Sequence, residues 1–211
     1  MHVLFDLDGT LTDPKAGIAA CIDFALAQLD IPMDPNLPVE QFIGPPLHNT
    51  FLTLCRSEKL ADRAVKIYRQ RYSALGLYEN RVYAGIPECL ERVMEKARSI
   101  HVATSKAGVY SERIIAHFQL GRFFKSIHGS NLDGSLSDKT ELLAHILEHE
   151  KLPARNTVMI GDRSFDIIAA RNHGMRSIGV TWGFGSRDEL IQAGAASLCN
   201  HPSELYGRIF V

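Results

Sequence analysis

Short apolar runs that alternate with helical patterns constrain the fold of this chain more than any other feature of its sequence. The runs occupy residues 2–7, 100–104, 124–128, 157–160 and 177–181. Between them, apolar residues recur at helical spacing, as at Ile86, Leu90 and Val93. Strands that alternate with helices predict an α/β fold, in which a doubly wound parallel sheet carries helices on both faces.

The segment from residue 14 to residue 81 interrupts this alternation. It contains no clear strand pattern, but two apolar stripes at helical spacing, which are Ile18, Ile22, Ala25, Leu26 and Leu29, and then Val65, Ile67, Tyr68, Tyr72 and Leu75. Pro45 and Pro46 force a turn between the stripes. We therefore predict a helical cap domain at 14–81, inserted into a core domain formed by residues 1–13 and 82–211.

Charge and composition exclude several classes of partner. Lysine and arginine number 23 against 24 acidic residues, so the formal net charge of -1 offers no attraction for nucleic acid or an anionic membrane. No apolar stretch approaches the roughly 18 residues of a membrane span, and the amino terminus lacks the pattern of a signal peptide. The four cysteines are scattered without a CxxC pair, which is typical of reduced thiols in a cytoplasmic protein.

Two acidic residues end the first apolar run, which continues as Asp6-Leu7-Asp8-Gly9-Thr10. In an open parallel sheet, ligands bind at the carboxyl ends of the strands, and this pair falls at such an end. One carboxylate can act there as a nucleophile and the other as a proton donor. A strand that runs into a turn would explain Asp8 and Gly9, but it would not explain two acids at the end of an apolar strand.

Hydroxyl and lysine side chains follow two further elements. Thr104 and Ser105 close the second run, where a hydroxyl and the following amides can bind a phosphate oxygen; alternatively, Thr104 caps a helix predicted at 107–119. Lys139 falls where another helix begins, a position that the helix macrodipole makes unfavourable for a cation unless an anion lies beside it. The alternative for Lys139 is an exposed lysine paired with Asp138.

Two aspartates, Asp162 and Asp166, lie four residues apart where the fourth run turns into a helix. At that spacing both carboxylates can converge on one point, and hard oxygen ligands suit Mg²⁺. Taken singly, Asp162 could cap the helix and Asp166 could place a favourable charge in its first turn. The two together, at the end of a strand, predict a magnesium site.

These four clusters, in this order, resemble the signature of the haloacid dehalogenase-like superfamily of phosphohydrolases, which reads DxDG[TV], a strand-end Thr or Ser, Lys and GDxxxD. The resemblance implies that Asp6 is the nucleophile and forms an aspartyl-phosphate, and that Asp8 donates and later removes a proton. It implies a set of residues that bind the phosphoryl oxygens, which are Thr104, Ser105 and Lys139. It also implies Mg²⁺ as cofactor, with the ligands Asp6, Asp8, Asp162 and Asp166.

Segment 14–81 resembles the family's C1 type of cap, whose substrate loop would here contain Gly44, Pro45 and His48. This loop resembles the phosphoglycolate phosphatase-like group, which includes 5'-nucleotidase-like members. Thr140 stands where typical phosphoglycolate phosphatases have proline, so both substrate classes stay open for what we expect to be a small phosphorylated metabolite. The loop has no lysine or arginine, so we expect no second anion site; the alternative is a β-phosphoglucomutase-type phosphotransferase.

Two further alternatives come from other functional classes. His145, Glu148 and His149 fit the H-x-x-E-H pattern of a zinc-dependent hydrolase, with both histidines on one side of a helix. The apolar face of that helix lies elsewhere, so such a zinc site would be exposed to solvent. The other alternative is a phosphate sensor without activity, against which the intact acid pair argues. Trp182 and Phe184, after the fifth run, either rim the site or serve in packing.

Overall fold

The computed structural model describes residues 1–34 and 37–210, and it confirms the predicted α/β fold. In chain order the strands are β1 His2–Phe5, β2 Thr12–Asp13, β3 Arg81–Val82, β4 Ser99–Ala107, β5 Ser126–Ser130, β6 Thr157–Gly161, β7 Arg176–Val180 and β8 Ser197–Cys199. The helices are α1 Lys15–Ala27, α2 Leu47–Cys55, α3 Glu58–Arg71, α4 Ile86–Met94, α5 Gly108–His117, α6 Lys139–His149, α7 Ser164–Asn172, α8 Arg187–Ala193 and α9 Leu205–Ile209.

The main sheet has six strands in the order β5-β4-β1-β6-β7-β8, and each neighbouring pair is parallel. β1 lies near the middle, where Val3 pairs with Ile100 of β4 and with Val158 of β6. The edge strand β8 is absent from the predicted strands, because three residues show no recognisable period. The predicted start of β5 was residue 124, but the strand begins two residues later, at Ser126.

The apolar runs form strands because helices cover both faces of the sheet. In β1, Val3 and Phe5 pack on one face and Leu4 packs on the other, and all three side chains are fully buried. A strand that is covered on both faces is apolar throughout rather than alternating, which explains the pattern of residues 2–7. Full burial of each such side chain contributes about 1.5–3 kcal/mol.

A short ribbon joins the sheet to the helices α1, α2 and α3. β2 and β3 pair antiparallel, Thr12 with Val82 and Asp13 with Arg81, and an ion pair between Arg81 and Asp13 reinforces the ribbon at 2.7 Å. The two segments that connect the sheet to these helices, β2 and β3, are therefore hydrogen-bonded to each other. β3 begins at Arg81, at the end of the segment in which we predicted no strand, because two residues are too few to reveal a period.

Aromatic rings form the core of the helical segment. Phe51 of α2 meets Tyr68 of α3 edge-on with 5.8 Å between ring centroids, and Tyr68 stacks on Tyr72 at 5.2 Å. Leu75, which we predicted on the same apolar stripe, is exposed. It lies in a π-helical turn at Tyr72–Gly76, which departs from the regular helical period and moves Leu75 off the buried face.

Two further observations concern the helices and the cysteines. No helix within the described ranges is long and apolar enough to cross a membrane. The four cysteines, Cys21, Cys55, Cys89 and Cys199, all carry free thiols. Burial raises the pKa of the Cys199 thiol to about 11 and that of Cys89 to about 12, so both stay protonated at neutral pH.

Candidate active site

Three neighbouring strands deliver polar side chains to one edge of the sheet. Asp6 follows β1, Thr104 lies near the end of β4, and Asp162 follows β6. Because β4, β1 and β6 are adjacent and parallel, their carboxyl ends meet at the same edge. Lys139 is the first residue of α6, and Asp166 lies in the first turn of α7. The structure thus brings together the acidic, hydroxyl and lysine residues that the four sequence clusters contain.

Lys139 lies between two carboxylates and is only 6% exposed. Its Nζ is 2.9 Å from Oδ1 of Asp6 and 2.8 Å from Oδ1 of Asp166, and it also donates to the carbonyl of Ala103 at 2.9 Å. Burial alone would lower the pKa of this lysine, but Asp166 and Asp6 outweigh it and hold the pKa above its usual range. The alternative of an exposed lysine paired with Asp138 is wrong, since Asp138 instead caps α6 through two backbone amides.

The carboxylates of Asp6, Asp162 and Asp166 form a buried group that fits a divalent cation. One oxygen from each lies within 4.8 Å of the other two. Burial, with repulsion from Asp6 and Asp166, raises the pKa of Asp162 well above its usual range, and burial raises that of Asp166 to about 6. Lys139 supplies one positive charge for three acids, so a divalent cation would relieve the remaining repulsion, and an all-oxygen donor set suits Mg²⁺.

The orientation of Asp162 depends on the close approach of two glycines. Phe184 donates its backbone N–H to Oδ2 of Asp162 at 2.8 Å. Gly9 has a φ of +84°, and a Cβ there would lie 2.2 Å from that same oxygen, while a Cβ on Gly183 would lie 2.4 Å from Cβ of Asp162. In the same loop as Phe184, Trp182 donates its ring N–H to the carbonyl of Thr10 at 3.1 Å. This loop therefore holds the Asp162 carboxylate in place.

Asp166 has a second role at the start of α7. Its Oδ2 accepts a hydrogen bond from the backbone N–H of Arg163, the residue that precedes the helix, at 3.2 Å. Asp166 therefore does lie in the first turn of α7, as the alternative for this residue predicted, and it also forms the ion pair with Lys139. Asp162 does not cap the helix, because Arg163 occupies the capping position.

Asp8 is held by Lys106, whose position in the sequence does not indicate this role. Oδ2 of Asp8 lies 2.7 Å from Nζ of Lys106, which also donates to the Tyr72 hydroxyl at 2.6 Å and lies 4.6 Å from the centre of that ring. The other carboxylate oxygen of Asp8 is buried without a hydrogen-bond partner among the described residues. Burial raises the pKa of Asp8 although Lys106 opposes the shift, which favours the protonated form that a general acid requires.

Thr104 and Ser105 lie beside these carboxylates and line the same cavity. The Thr104 side chain is 2% exposed, and its hydroxyl accepts the backbone N–H of Lys106 at 3.3 Å. The alternative role of Thr104 as a helix cap is wrong, because Ala107 precedes α5. The carbonyl of Ser105 accepts the hydroxyl of Ser130 at 2.8 Å, which ties the end of β4 to β5.

A cavity of about 530 Å³ opens above Asp6 and Asp8 and extends beneath the helical segment. Its far wall includes Gly44, Pro45 and His48, the residues that we predicted to form the substrate loop. His48 lies 3.2 Å from Asp62 and 3.4 Å from Glu58, both on α3.

The loop itself has no lysine or arginine, as its sequence shows, but other segments place cations on the cavity wall. Arg163 reaches the loop from the sheet side and donates to the carbonyl of Ile43, and its Nε lies 3.1 Å from Glu189. Lys66 and Arg69 of α3 also line the cavity, and neither forms an ion pair with any described residue. These cations come from positions far from the loop in sequence, so inspection of the loop could not reveal them.

The zinc-hydrolase alternative finds no support in the geometry. His145 and His149 are exposed on α6 and their rings stack with 5.6 Å between centroids. Glu148 is exposed as well, and in the part of the chain that the structure describes it belongs to no group of three potential metal ligands.

Comparison with known proteins confirms the family resemblance. A family model described as haloacid dehalogenase-like hydrolase matches residues 3–180. A 5'-nucleotidase of Pseudomonas aeruginosa is 49% identical over 190 residues, covering 90% of this chain and 86% of that protein. The tyrosine-protein kinase PtkA of Mycobacterium tuberculosis is 35% identical over 203 residues, covering 96% of this chain and 69% of that protein.

The fold also matches that of a solved structure. The crystal structure of a predicted phosphatase from Clostridium acetobutylicum superposes with a TM-score of 0.93 at 40% identity, covering 99% of this chain and 97% of that one. The likeness includes the helical segment as well as the sheet, because the superposition covers nearly all of both chains.

Proposed function

The chain is a phosphatase of the haloacid dehalogenase-like hydrolase family, and we propose that it hydrolyses small phosphomonoesters through an aspartyl-phosphate on Asp6, with Mg²⁺ as cofactor. The observation that supports this most strongly is the position of Asp6, between Lys139 and the Asp162 carboxylate at the floor of a cavity. Phosphoryl transfer depends on positioning and charge neutralisation more than on other chemistry, and this arrangement provides both.

In the first step, the oxygen of Asp6 that Lys139 does not hold attacks phosphorus. The bond from that oxygen to phosphorus forms while the ester bond to the leaving oxygen breaks, and the protonated carboxyl of Asp8 gives its proton to the leaving oxygen. Lys139 reduces the repulsion between the Asp6 carboxylate and the phosphate dianion. Thr104 and Ser105, through hydroxyl and amide groups, hold the phosphoryl oxygens beside it.

In the second step, Asp8 is a carboxylate and acts as a general base. It removes a proton from a water molecule, whose oxygen attacks phosphorus while the bond between phosphorus and Asp6 breaks. Inorganic phosphate leaves, and Asp8 is again protonated for the next cycle. Lys106 and Tyr72 keep the Asp8 carboxylate in one position through both steps.

Mg²⁺ would be held by the carboxylates of Asp6, Asp162 and Asp166 and by the backbone carbonyl of Asp8. When bound, it would neutralise charge on the transferring phosphoryl group. The support from this structure is the buried three-carboxylate group, in which burial raises the pKa values of Asp162 and Asp166.

For the substrate, we favour a nucleoside 5'-monophosphate over 2-phosphoglycolate. The cavity of about 530 Å³ is large enough to enclose a drug-sized molecule. It is larger than a small acid such as 2-phosphoglycolate needs. Tyr110 and Phe42 offer aromatic surface to a base, and Lys66 and Arg69 offer unpaired cations. The 5'-nucleotidase from Pseudomonas aeruginosa, at 49% identity, supports the same choice.

We also propose that residues 14–81 form a cap domain whose hinge is the β2–β3 ribbon. Its helices cover the cavity while the sheet edge forms the floor, so closure would exclude water from the reacting phosphate.

The free thiols of the four cysteines support a cytoplasmic location.

A phosphate-release assay with Mg²⁺ tests this function, using nucleoside 5'-monophosphates, 2-phosphoglycolate and p-nitrophenyl phosphate with Asp6→Asn as the matched inactive variant. We expect kcat/KM for the best nucleotide to exceed that for 2-phosphoglycolate by more than about tenfold. A preference for 2-phosphoglycolate would overturn the substrate, and full turnover by Asp6→Asn would overturn the mechanism.

Two further arms of this assay address transfer reactions. The first supplies ATP and a tyrosine peptide, because of the likeness to PtkA. The second supplies β-glucose 1-phosphate with glucose 1,6-bisphosphate, because Lys66, Arg69 and Arg163 give the cavity the cations that a second phosphate would need. Phosphotyrosine or glucose 6-phosphate formed faster than free phosphate would assign a phosphotransferase instead.

A further inference from the structure

Two histidines and a glutamate form a compact group outside the cavity that contains the catalytic carboxylates. His101 is on β4, His128 is on β5, and Glu150 immediately follows α6. One ligand atom from each lies within 4.8 Å of the other two, and His101 is fully buried. The side chain of Glu150 is 10% exposed and that of His128 is 12% exposed, so the group is enclosed yet reachable from solvent.

Supporting contacts orient His101 and Glu150. Nε2 of His101 lies 2.7 Å from the Ser99 hydroxyl, and two of the ligand atoms, Nε2 of His128 and Oε1 of Glu150, lie 3.1 Å apart. Lys125 pairs with the second oxygen of Glu150 at 2.8 Å, which leaves the first oxygen facing His128. Partners of this kind fix the ring and carboxylate orientations of metal ligands in proteins.

We propose that His101, His128 and Glu150 form a second metal site, which takes a divalent transition-metal ion of the Zn²⁺ type. Two imidazoles and one carboxylate are a ligand set that Zn²⁺ uses in proteins, and they differ from the all-oxygen set that suits Mg²⁺. The site is separate from the catalytic one, because none of its three ligands lines the cavity above Asp6 and Asp8. In addition, α6 carries the chain roughly 16 Å from Lys139 to Glu150.

The protonation states agree with this ligand set. Burial lowers the pKa of His101 to about 4 and also lowers that of His128, so both rings are neutral at pH 7. The neighbouring Lys125 donates a hydrogen bond to Glu150 and lowers the pKa of that carboxyl to about 2. Neutral imidazole and ionised carboxylate are the forms that ligate metals.

Ser126 determines how an ion would enter. Its hydroxyl lies 2.6 Å from Nδ1 of His101 and 2.8 Å from Nε2 of His128, so it bridges the two ring nitrogens. Rotation of this side chain about its Cα–Cβ bond would release both nitrogens to an ion. The exposed rings of His145 and His149 lie 6.3 Å and 5.9 Å from the His128 ring and mark the mouth of the site.

A bound ion would connect the strands β4 and β5 to the end of α6. β5 is an edge strand of the sheet, and it is held there by pairing on one side only. The ion would therefore stabilise the outer part of the sheet without contacting the catalytic carboxylates.

Titration of the metal-free protein with Co²⁺ and Zn²⁺, in excess Mg²⁺, tests the proposal. Co²⁺ absorbs visible light strongly in a four- or five-coordinate site with histidine ligands and weakly in a six-coordinate oxygen site, so its spectrum separates this site from the catalytic one. Calorimetry with Zn²⁺ gives the stoichiometry. We expect one equivalent to bind, with the strong Co²⁺ spectrum.

Four variants assign the ligands. His128→Asn and the isosteric Glu150→Gln should each weaken Zn²⁺ binding by about 100-fold or more, since the loss of a supporting partner alone costs about 10–100-fold. Ser126→Ala, the matched control, removes the bridging hydroxyl and should bind at least as tightly as the wild type. The double variant His145→Gln/His149→Gln should retain the equivalent. Unchanged phosphatase activity with Mg²⁺ shows that each variant is folded.

Three results would overturn the proposal. The first is that no stoichiometric binding occurs in the presence of Mg²⁺. The second is that binding survives Glu150→Gln and His128→Asn but is lost in the His145/His149 double variant, which would assign it to the exposed pair on α6. The third is that the equivalent disappears in Asp162→Asn, which would assign it to the catalytic carboxylates.

Discussion

Removal of the Asp166 carboxylate should change how the stability of the metal-free protein depends on pH. Asp166 is 1% exposed, and burial raises its pKa to about 6 although Lys139 opposes the shift. An acid with a raised pKa in the folded state holds its proton more tightly there than in the unfolded chain. The folded state therefore loses stability as the pH rises from the unfolded value of 3.8 through about 6.

The size of the effect follows from the two pKa values. A rise from 3.8 to about 6 makes the ionisation of Asp166 cost about 3 kcal/mol of stability at neutral pH. Roughly half of this loss, on the order of 1 kcal/mol, develops between about pH 5 and pH 7. In a protein of this length, 1 kcal/mol shifts Tm by about 2–4 °C, so the expected change is about 2–4 °C.

The assay is thermal unfolding, followed by circular dichroism in chelator, of the wild type and Asp166→Asn. Asparagine keeps the size of the side chain and an acceptor for the Arg163 amide. All other titrating groups are present in both proteins, so the difference in Tm reports the ionisation of Asp166 together with its charge interactions with Asp162 and Lys139. We expect the wild type to lose about 2–4 °C relative to the variant from pH 5 to pH 7, and Mg²⁺ to restore it. A difference in Tm that stays constant with pH, or changes in the opposite direction, would refute the reasoning.

Three further variants test individual contacts by steady-state kinetics. Lys106→Met should lower kcat by about 10–100-fold with little change in KM, because Asp8 loses the cation that positions it. Tyr72→Phe leaves the ion pair between Lys106 and Asp8 in place and should therefore lower kcat less. An equal loss of kcat in both variants would contradict the role of this ion pair. Asp8→Asn should slow alkyl phosphates more than p-nitrophenyl phosphate, whose leaving group needs less protonation, and equal losses would contradict the role of Asp8. Arg163→Met should raise KM for nucleotides by about tenfold, because it removes a charged hydrogen bond to the Ile43 carbonyl, while an unchanged KM would show that this contact does not shape the cavity.

The parts of the site that the sequence predicts are those that follow from strand order. Asp6 and Asp162 each come directly after a buried apolar run, so their approach follows once the runs are assigned to one parallel sheet. Lys139 is predictable for a different reason, since a cation at a helix start is unfavourable without an anion, and the structure supplies two carboxylates beside it.

The remaining contacts join residues that no local pattern connects. Lys106 reaches Asp8 from another strand, and its anchor Tyr72 belongs to the helical segment. Each of the three has an ordinary explanation in its own sequence surroundings, as a loop cation, a strand-end acid and an apolar helix position. The two-residue strands of the ribbon and the three-residue strand β8 are equally invisible, because pairing with a neighbour rather than sequence period determines them.

The measurement that tests the central claim most directly is the mass of the intact protein after rapid quench in acid during turnover of p-nitrophenyl phosphate with Mg²⁺. In Asp8→Asn, where water activation is impaired, we predict that one phosphoryl group accumulates and that peptide mapping places it on Asp6. Asp6→Asn should show no added mass under the same conditions. Phosphate release at the normal rate by Asp6→Asn, or a phosphoryl group mapped to any other residue, would contradict the account.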